Sequence, residues 1–504
     1  MNAGPENVRG RVDQGIGRSR DRAVLKRGTC FVDAIIGVIN TVLWDYLLIY
    51  GLLGAGLFFT IRLRGIQIVH FREMIRGIVS SRTADKAGIS PFQALTISLA
   101  SRVGTGNLAG VAVALTLGGP GAIFWMWMVA LVGMATAYSE STLAQLYKTT
   151  TKDGQYRGGP AFYMARGLNA PWAGSIFSIC LILAFGLVFV AVQSNSIAEA
   201  FSGATGLPKF GIGVAVAVLA AVVIFGGIRS IAKVAELLVP IMAGVYLLMA
   251  VIVMLLNLTE VPATLWLIVS SAFGLNEAAG GIAGGMAAAL LNGVKRGLFS
   301  NEAGMGSAPN IAAVATPQPH HPSSQGLVQA FGCFIDTILV CTATALMILL
   351  SGVYTPNGGP DAATGMLLTQ QAMNAHIGVA GTWFIAIAIF FFAFTSILGN
   401  YSYAENAVTF LGLDGKASLI VLRLASLVMV VWGAMQSVST VFNFADAAMG
   451  LMAVINLVAV LLLSGTVVKL TRDYFGQRRE GKEPRFSVDA FPDLGDGIDR
   501  EIWK

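Results

Sequence analysis

Apolar runs of bilayer-spanning length, about 20 residues, recur along most of this chain. The first has its core at Trp44–Ile61. Others follow at short intervals, at about 91–116, 121–147, 173–201, 210–226, 234–257, 264–298 (interrupted), 326–352, 380–411, 417–436 and 442–468. The pattern predicts an all-α polytopic membrane protein with eleven transmembrane helices. Arg62–Ala87 breaks the rhythm with Arg62, Arg64, Arg72, Arg76, Arg82 and Lys86. Within it Phe71, Met74, Ile75 and Ile78 recur at helical spacing, and Arg72 and Arg76 fall off that stripe. This predicts a helix lying on the cytoplasmic membrane surface.

Two runs are apolar yet loosened. Ile89–Leu117 contains Val103-Gly104-Thr105-Gly106-Asn107-Leu108-Ala109-Gly110, with Arg102 beside it. Each helical Gly costs roughly 0.8–1 kcal/mol against Ala. Backbone opens at membrane depth only where protein or a cavity surrounds it. A broken helix facing a ligand is therefore expected here. A second candidate is Ile268–Leu291, with Gly280, Gly281, Gly284 and Gly285. Tight helix packing through small-xxx-small pairs is the plainer reading of those glycines. Yet the two segments lie five spans apart, and Gly-interrupted helices in corresponding positions of two halves mark an inverted repeat with a site between them. The organisation expected is a polar tail (1–30), an extra N-terminal helix (31–61) and an interfacial helix and loop (62–90). Two five-helix repeats (91–257 and 258–470) and a cytoplasmic tail (471–504) follow.

Charge supports this picture. Hydrophobic residues make up 55% and charged residues 12% of the 504, about half the charge of a soluble protein. Loops at 148–172, 227–233, 295–325 and 411–417, and the tail from Lys469, carry Lys or Arg. The opposite loops carry only Lys209. The positive-inside rule then places the C-terminus in the cytoplasm and, with an odd count, the N-terminus outside. The seven basic residues of Met1–Thr29 oppose that, and a re-entrant piece near Phe31–Asn40 would reconcile them. No signal peptide is read there. A net charge of +6 placed in loops does not suggest nucleic acid. The four cysteines have no C-x-x-C spacing and read as small buried residues.

Gly118-Gly119-Pro120-Gly121-Ala122-Ile123-Phe124-Trp125-Met126-Trp127-Met128-Val129-Ala130-Leu131-Val132-Gly133 resembles a signature of the alanine or glycine:cation symporter family. Gly297-Leu298-Phe299-Ser300-Asn301-Glu302-Ala303-Gly304-Met305-Gly306-Ser307-Ala308-Pro309 is similar to a second hallmark. The resemblance runs from about Trp44 to about Arg472. It implies the leucine-transporter-type fold, a location in the plasma membrane (the bacterial inner membrane), and import of alanine or glycine with Na⁺ or H⁺. A sodium ion is then the coupling ion, and no organic cofactor is implied.

Candidate site residues follow. Amides of Thr105, Gly106 and Asn107 open the second half of the first broken helix, where free N–H groups suit a carboxylate. The substrate ammonium would meet carbonyls near Ser270–Phe273 and Gly280–Gly281. Gln193 and Asn195, polar among Val, Phe and Ala, read either as a pocket wall or as a helix–helix contact. Asn400, Tyr401 and Tyr403 form a further possible wall. Thr395-Ser396 reads either as a sodium ligand pair, since hard cations take oxygen, or as hydroxyls bonded to their own helix. The resemblance favours the first and adds the carbonyls of Ala100 and Val103.

Glu140, Glu302, Asp336, Glu405 and Asp446 are acids at or near membrane depth, where ionisable groups are costly and usually paired. Lys295 and Arg296 suggest a cytoplasmic gate with Glu302. Glu140 suggests an ion pair near Lys148. Glu277 reads as proton-coupling or as an outer gate, and Arg102 as a paired or snorkelling cation. His320-His321 lacks metal-site company, and no Walker A motif exists. The sequence thus points to a secondary transporter rather than a channel or enzyme. Rival solutes are D-amino acids or a larger neutral one.

Overall fold

The computed structural model describes residues 35–79, 83–152, 154–275, 282–356, 363–494 and 497–504. The polar tail 1–30, Glu277, Gly280 and Gly281 lie outside them. The first helix, α1 (Ile35–Arg62), runs unbroken through Asn40, so no re-entrant turn occupies the described part of 31–40. The helix expected at the membrane surface, α2 (Phe71–Val79), forms as its spacing predicts. Met74 is fully buried, Arg72 and Arg76 face outward, and the Phe71 ring rests on Phe331 and Phe334.

The next run is two helices. α3 (Pro91–Arg102) opens with Pro at its first turn and a reciprocal Ser90–Gln93 cap, two devices that satisfy or remove orphan amides. It stops at Val103, whose ψ of 89° leaves the helix. α4 (Gly106–Gly118) resumes the rod. α5 (Gly121–Leu146) follows directly, then a two-stranded hairpin, Thr149–Thr150 with Tyr156–Arg157, and α6 (Pro160–Gly167). α7 (Pro171–Thr205), α8 (Lys209–Ile224) and α9 (Gly227–Leu256) complete this half.

The second half departs from expectation. α10 (Val261–Ala272) has only 12 residues, about 18 Å of helix, too short to span. The stretch is interrupted after it, as its glycines suggest, but its end packs on the start of α5. A Cβ on Gly121 would lie 2.6 Å from the Ala272 amide nitrogen, and the Phe273 ring meets Phe124. The rod that crosses the protein is α11 (Ile282–Asn301) continued by the short α12 (Pro309–Ala312). Its break is Glu302–Ala308, where Glu302, Gly304 and Gly306 all take positive φ. Only Gly adopts that region at little cost, and these residues sit where helix would otherwise continue.

α11–α12 lies antiparallel to α3–α4 along its length. Gly118 approaches Ala288 and Asn292 at one end. Ile89 bridges Ala315 at the other. Lys295 and Arg296 are therefore inside a helix on the Gly121 side, not in a loop on the Lys148 side. The reading of 295–325 as a basic cytoplasmic loop fails on this point.

The chain continues through α13 (Pro322–Leu349), α14 (Gly365–Ile377), α15 (Val379–Phe410), α16 (Lys416–Met435), α17 (Val438–Leu462) and α18 (Ser464–Arg479). Among the described residues, eight helices are long and apolar enough to cross a membrane: α1, α5, α7, α9, α13, α15, α16 and α17. The most apolar stretches of α9 and α16 are only 28% buried, so both sit at the rim, facing lipid. α5, α13 and α15 are two-thirds buried around the two broken rods. The C-terminal segment docks against the protein. Trp503 is fully buried, its indole N–H donates to the Leu146 carbonyl at 3.2 Å, and the Phe486 amide donates to the His320 carbonyl.

Close packing of α7 on α16 rests on Gly433, where a Cβ would lie 2.3 Å from the Ala191 carbonyl oxygen. Gly433→Ala should destabilise the protein by about 1–3 kcal/mol, the usual scale of overpacking, seen as a lower Tm in detergent by intrinsic fluorescence. Gly415→Ala, with nothing within 4 Å of the new methyl, should leave Tm unchanged.

Candidate substrate and cation site

The two breaks meet. A Cβ on Gly106 would lie 2.9 Å from the Phe299 ring and 3.3 Å from the Ser300 Cα, so the α3–α4 break presses on the last turn of α11. Polar contacts tie the rods together one turn away. The Ser101 hydroxyl lies 2.7 Å from Glu302 Oε1 and 2.6 Å from Asn400 Oδ1, and the Ser307 hydroxyl donates to Glu302 Oε2 at 2.6 Å. Glu302 thus joins the two broken rods, and Ser101 links them to α15. The Gly304 amide donates to Glu140, which also accepts from Asn456 on α17. Glu140 is a clamp on the second break, not an ion-pair partner of Lys148. Lys148 instead donates to the Ala315 carbonyl at 2.9 Å and sits over the Tyr156 ring.

α7 and α15 close on the first break. The Thr105 amide donates to Gln193 Oε1 at 2.9 Å. The Ser396 hydroxyl lies 2.7 Å from the Ala100 carbonyl, 2.9 Å from the Phe392 carbonyl of its own helix and 3.5 Å from that of Val103. A Cβ on Gly104 would fall 2.3 Å from Ser396 Oγ and 2.7 Å from Gln193 Oε1. The structure therefore brings Ala100, Val103, Ser396, Gln193 and Thr105 together. The C-terminal carbonyls of α3 carry the negative end of a helix dipole, and these are the oxygens that converge. The Thr105 hydroxyl is buried with no hydrogen-bond partner among the described residues. Such groups are rare in native interiors and call for an explanation.

Other expected residues are placed elsewhere. Thr395 donates to Phe391 and Phe392 of its own helix, at 2.9 and 3.0 Å. Asn107 turns away from the turn's open face. Its amide nitrogen reaches Asp336 Oδ1 at 2.8 Å and Ser300 Oγ at 3.2 Å, while its oxygen accepts from the Gly104 amide. Asp336 also accepts from Ser300 and Thr337, a buried carboxylate held by neutral donors. Asn195 donates to the Gly433 and Gln436 carbonyls at the end of α16, which is a helix–helix contact. The Ser270 hydroxyl lies 3.3 Å from the Leu267 carbonyl of its own helix, and Phe273 is 44% exposed beside α5. Neither joins the Val103–Thr105 turn.

On the Gly121 side the site is capped. Phe299 stacks on Phe189 at 4.8 Å and tilts against Phe442 at 5.4 Å. Arg296 lies over Phe442 and forms a buried ion pair with Asp446. Arg296 pairs here, not with Glu302, because Glu302 lies beyond the end of α11. Arg102 is 1% exposed and donates to the Gln329 carbonyl at 3.3 Å, so it is buried in the protein and does not snorkel.

The sequence matches the sodium:alanine symporter family over residues 29–488. The chain belongs to that family. The match reaches beyond the Trp44–Arg472 stretch that carries the motifs and includes part of the docked C-terminal segment. A probable sodium/glutamine symporter, GlnT of Bacillus subtilis (strain 168), is 46% identical over 91% of this chain and 94% of its own. The sodium/alanine symporter AgcS of Methanococcus maripaludis is 38% identical over 88% and 97%. The crystal structure of MhsT in complex with L-phenylalanine aligns with a TM-score of 0.53 at 12% identity, over 75% of this chain and 97% of that one. This likeness shows the fold, of leucine-transporter type. A member of this family is a cation-coupled amino-acid transporter in the membrane.

The second break was readable in the family hallmark. Gly304-Met305-Gly306 repeats the Gly-x-Gly spacing of Gly104-Thr105-Gly106. The glycines at 280–285 are denser and make the stronger local signal. The role of Ser101 in holding Glu302 carried no signal in sequence, and Asn400, expected as part of a polar wall, instead meets Ser101.

Gly104→Ala should cut uptake by about 5-fold to 150-fold, since overpacking costs about 1–3 kcal/mol and each 1.4 kcal/mol is a factor of ten. Gly110→Ala, whose nearest new contact is 3.6 Å away, should stay near wild type. Initial rates in proteoliposomes at matched protein content check this.

Proposed function

We propose that this protein imports alanine or glycine with Na⁺ by alternating access. The observation that carries the reading is the convergence of the Ala100 and Val103 carbonyls on the Ser396 hydroxyl at a break in a helix. Three oxygens at the negative end of α3 suit a hard cation. Thr395 would join them by turning its hydroxyl from its own helix. The substrate would lie against Gly104 and Gly106, with its carboxylate near the Thr105 hydroxyl. Gln193 would release the Thr105 amide as the substrate arrives. Phe189, Phe299 and Phe442 limit the space, which favours a small side chain.

The architecture proposed is an extra helix, α1, followed by two inverted units. The first is 91–257. The second begins with α11, not at 258, and runs to about 470. Eleven spans result when α8 and the two broken rods are added to the eight long helices. The side carrying Arg62, Lys148 and Arg472 is cytoplasmic on the positive-inside rule, so the C-terminus is inside and the N-terminus outside. The Phe299 layer with Arg296–Asp446 then seals the outer face. The contacts of Ala315 with Ile89, Gln145 and Lys148 seal the inner one. Sodium binding between α3 and α15 would favour the state that accepts substrate, and that differential affinity is the coupling.

A second reading has a specific support: the relative named a probable sodium/glutamine symporter is 46% identical. Glutamine is then the rival substrate. Purified protein in liposomes should accumulate labelled alanine under an inward Na⁺ gradient, with glycine competing and glutamine weak. Ser396→Ala and Thr395→Ala should raise the Na⁺ concentration for half-maximal uptake by about tenfold, the loss of one charge-assisted oxygen contact. Uptake indifferent to the Na⁺ gradient, or glutamine preferred over alanine, would overturn the reading.

A further inference from the structure

The end of α1 and the two surface helices α2 and α18 line an open cavity of about 640 Å³. Its wall carries Arg62, Arg64, Arg76, Arg472, Arg478 and Arg479, with Glu73 the one acid among the described residues. Glu73 is already engaged. Arg478 forms an ion pair with it, and Arg76 approaches it at 3.7 Å. Arg64 and Arg472 take no part in that cluster. The floor is apolar. Leu63 and Val468 are buried, and His70 stacks on Phe475 at 3.7 Å. Burial holds His70 below its usual pKa against the pull of Glu73, and Arg479 adds to the lowering, so it offers a ring and not another charge at neutral pH.

A convex cluster of arginines is simply solvated. This one is concave, and it sits where a membrane ends. Arg62 closes the apolar α1. Beside it Ile61, Ile68 and Val69 are 69%, 75% and 66% exposed, an apolar surface suited to acyl chains. Guanidinium groups match phosphate oxygens in a planar fork, and basic pockets at the cytoplasmic ends of membrane helices hold anionic lipid head groups. The cavity wall supplies charge for the head group, and the adjoining helix faces supply oil for the chains.

We propose that this cavity binds the phosphate head group of an anionic phospholipid, with Arg64 and Arg472 as contacts. The bound lipid would brace α2 and α18 together. α2 rests through Phe71 on Phe331 and Phe334 of α13, and α13 also carries Asp336 and Gln329 beside the broken rods. Lipid at this point would thus support the base of the transport machinery without touching the substrate.

Native mass spectrometry of the full-length protein in detergent, titrated with dioleoyl phosphatidylglycerol, tests this. Phosphatidylglycerol adducts should survive where phosphatidylcholine adducts do not. The double variant Arg64→Ala/Arg472→Ala should bind phosphatidylglycerol about tenfold more weakly or worse, given about 1 kcal/mol per basic residue at a membrane surface. Arg229→Ala/Lys233→Ala, elsewhere on the same side, should bind as wild type. A matching thermal shift of the wild type by phosphatidylglycerol, absent with phosphatidylcholine, tests the claim without any variant. Equal binding of both lipids, displacement of the lipid by millimolar inorganic phosphate, or an equal loss in both double variants would overturn it.

Discussion

The structure depends on a single constraint: a polypeptide at membrane depth must satisfy its own polar backbone. Both rods that cross the protein violate helical regularity near their middles, at Val103–Thr105 and at Glu302–Ala308. Neither break could stand against lipid. Each is made tolerable by the other and by the helices around it. Glu302 is the chief device. One carboxyl group takes contacts from Ser101 on the first rod and Ser307 on the second, and Ser101 passes the connection to Asn400. Glu140 does the same for the Gly304 amide.

That mutual support explains why the polar interior is so rich. Asp336, Asn107, Ser300 and Thr337 form a second knot on the other side of the first break. Buried polar networks of this kind stabilise only when nearly every member is satisfied. The exceptions are therefore informative. Among the described residues the Thr105 hydroxyl has no partner at the turn where Gln193 and Ser396 converge. A solute's polar groups could complete what the protein leaves open there. The same breaks give the rods places to bend, so binding and movement share one structural cause.

Outside this centre the protein is layered by solvent. α9 and α16 present apolar surface to lipid. The arginines of α1, α2 and α18 gather at one interface. The last residues fold back so that Trp503 fills the gap between the end of α5 and the loop before α13. Sodium, amino acid and lipid would thus meet different parts of the chain, linked through α13.

Hydropathy and periodicity by themselves determined the class of fold, the interfacial helix and the first break, because these follow from local composition and the thickness of a bilayer. The convergence of Ala100, Val103 and Ser396 came from resemblance joined to local chemistry. The break that faces the first one lies at Glu302–Ala308, beyond the interruption expected at 270–281. Gly304–Gly306 resembles the glycines of 280–285 in sequence, and packing of its rod against α3 and α5 is what sets it opposite the first break. The same holds for Asn107 and Asn195, whose side chains could face a solute or a neighbouring helix. Their direction is set by which helices approach, a long-range property that no local pattern encodes. What a residue is follows from the chain, but which neighbours share its charge, and so whether it binds a ligand or a partner helix, was decided by the tertiary structure.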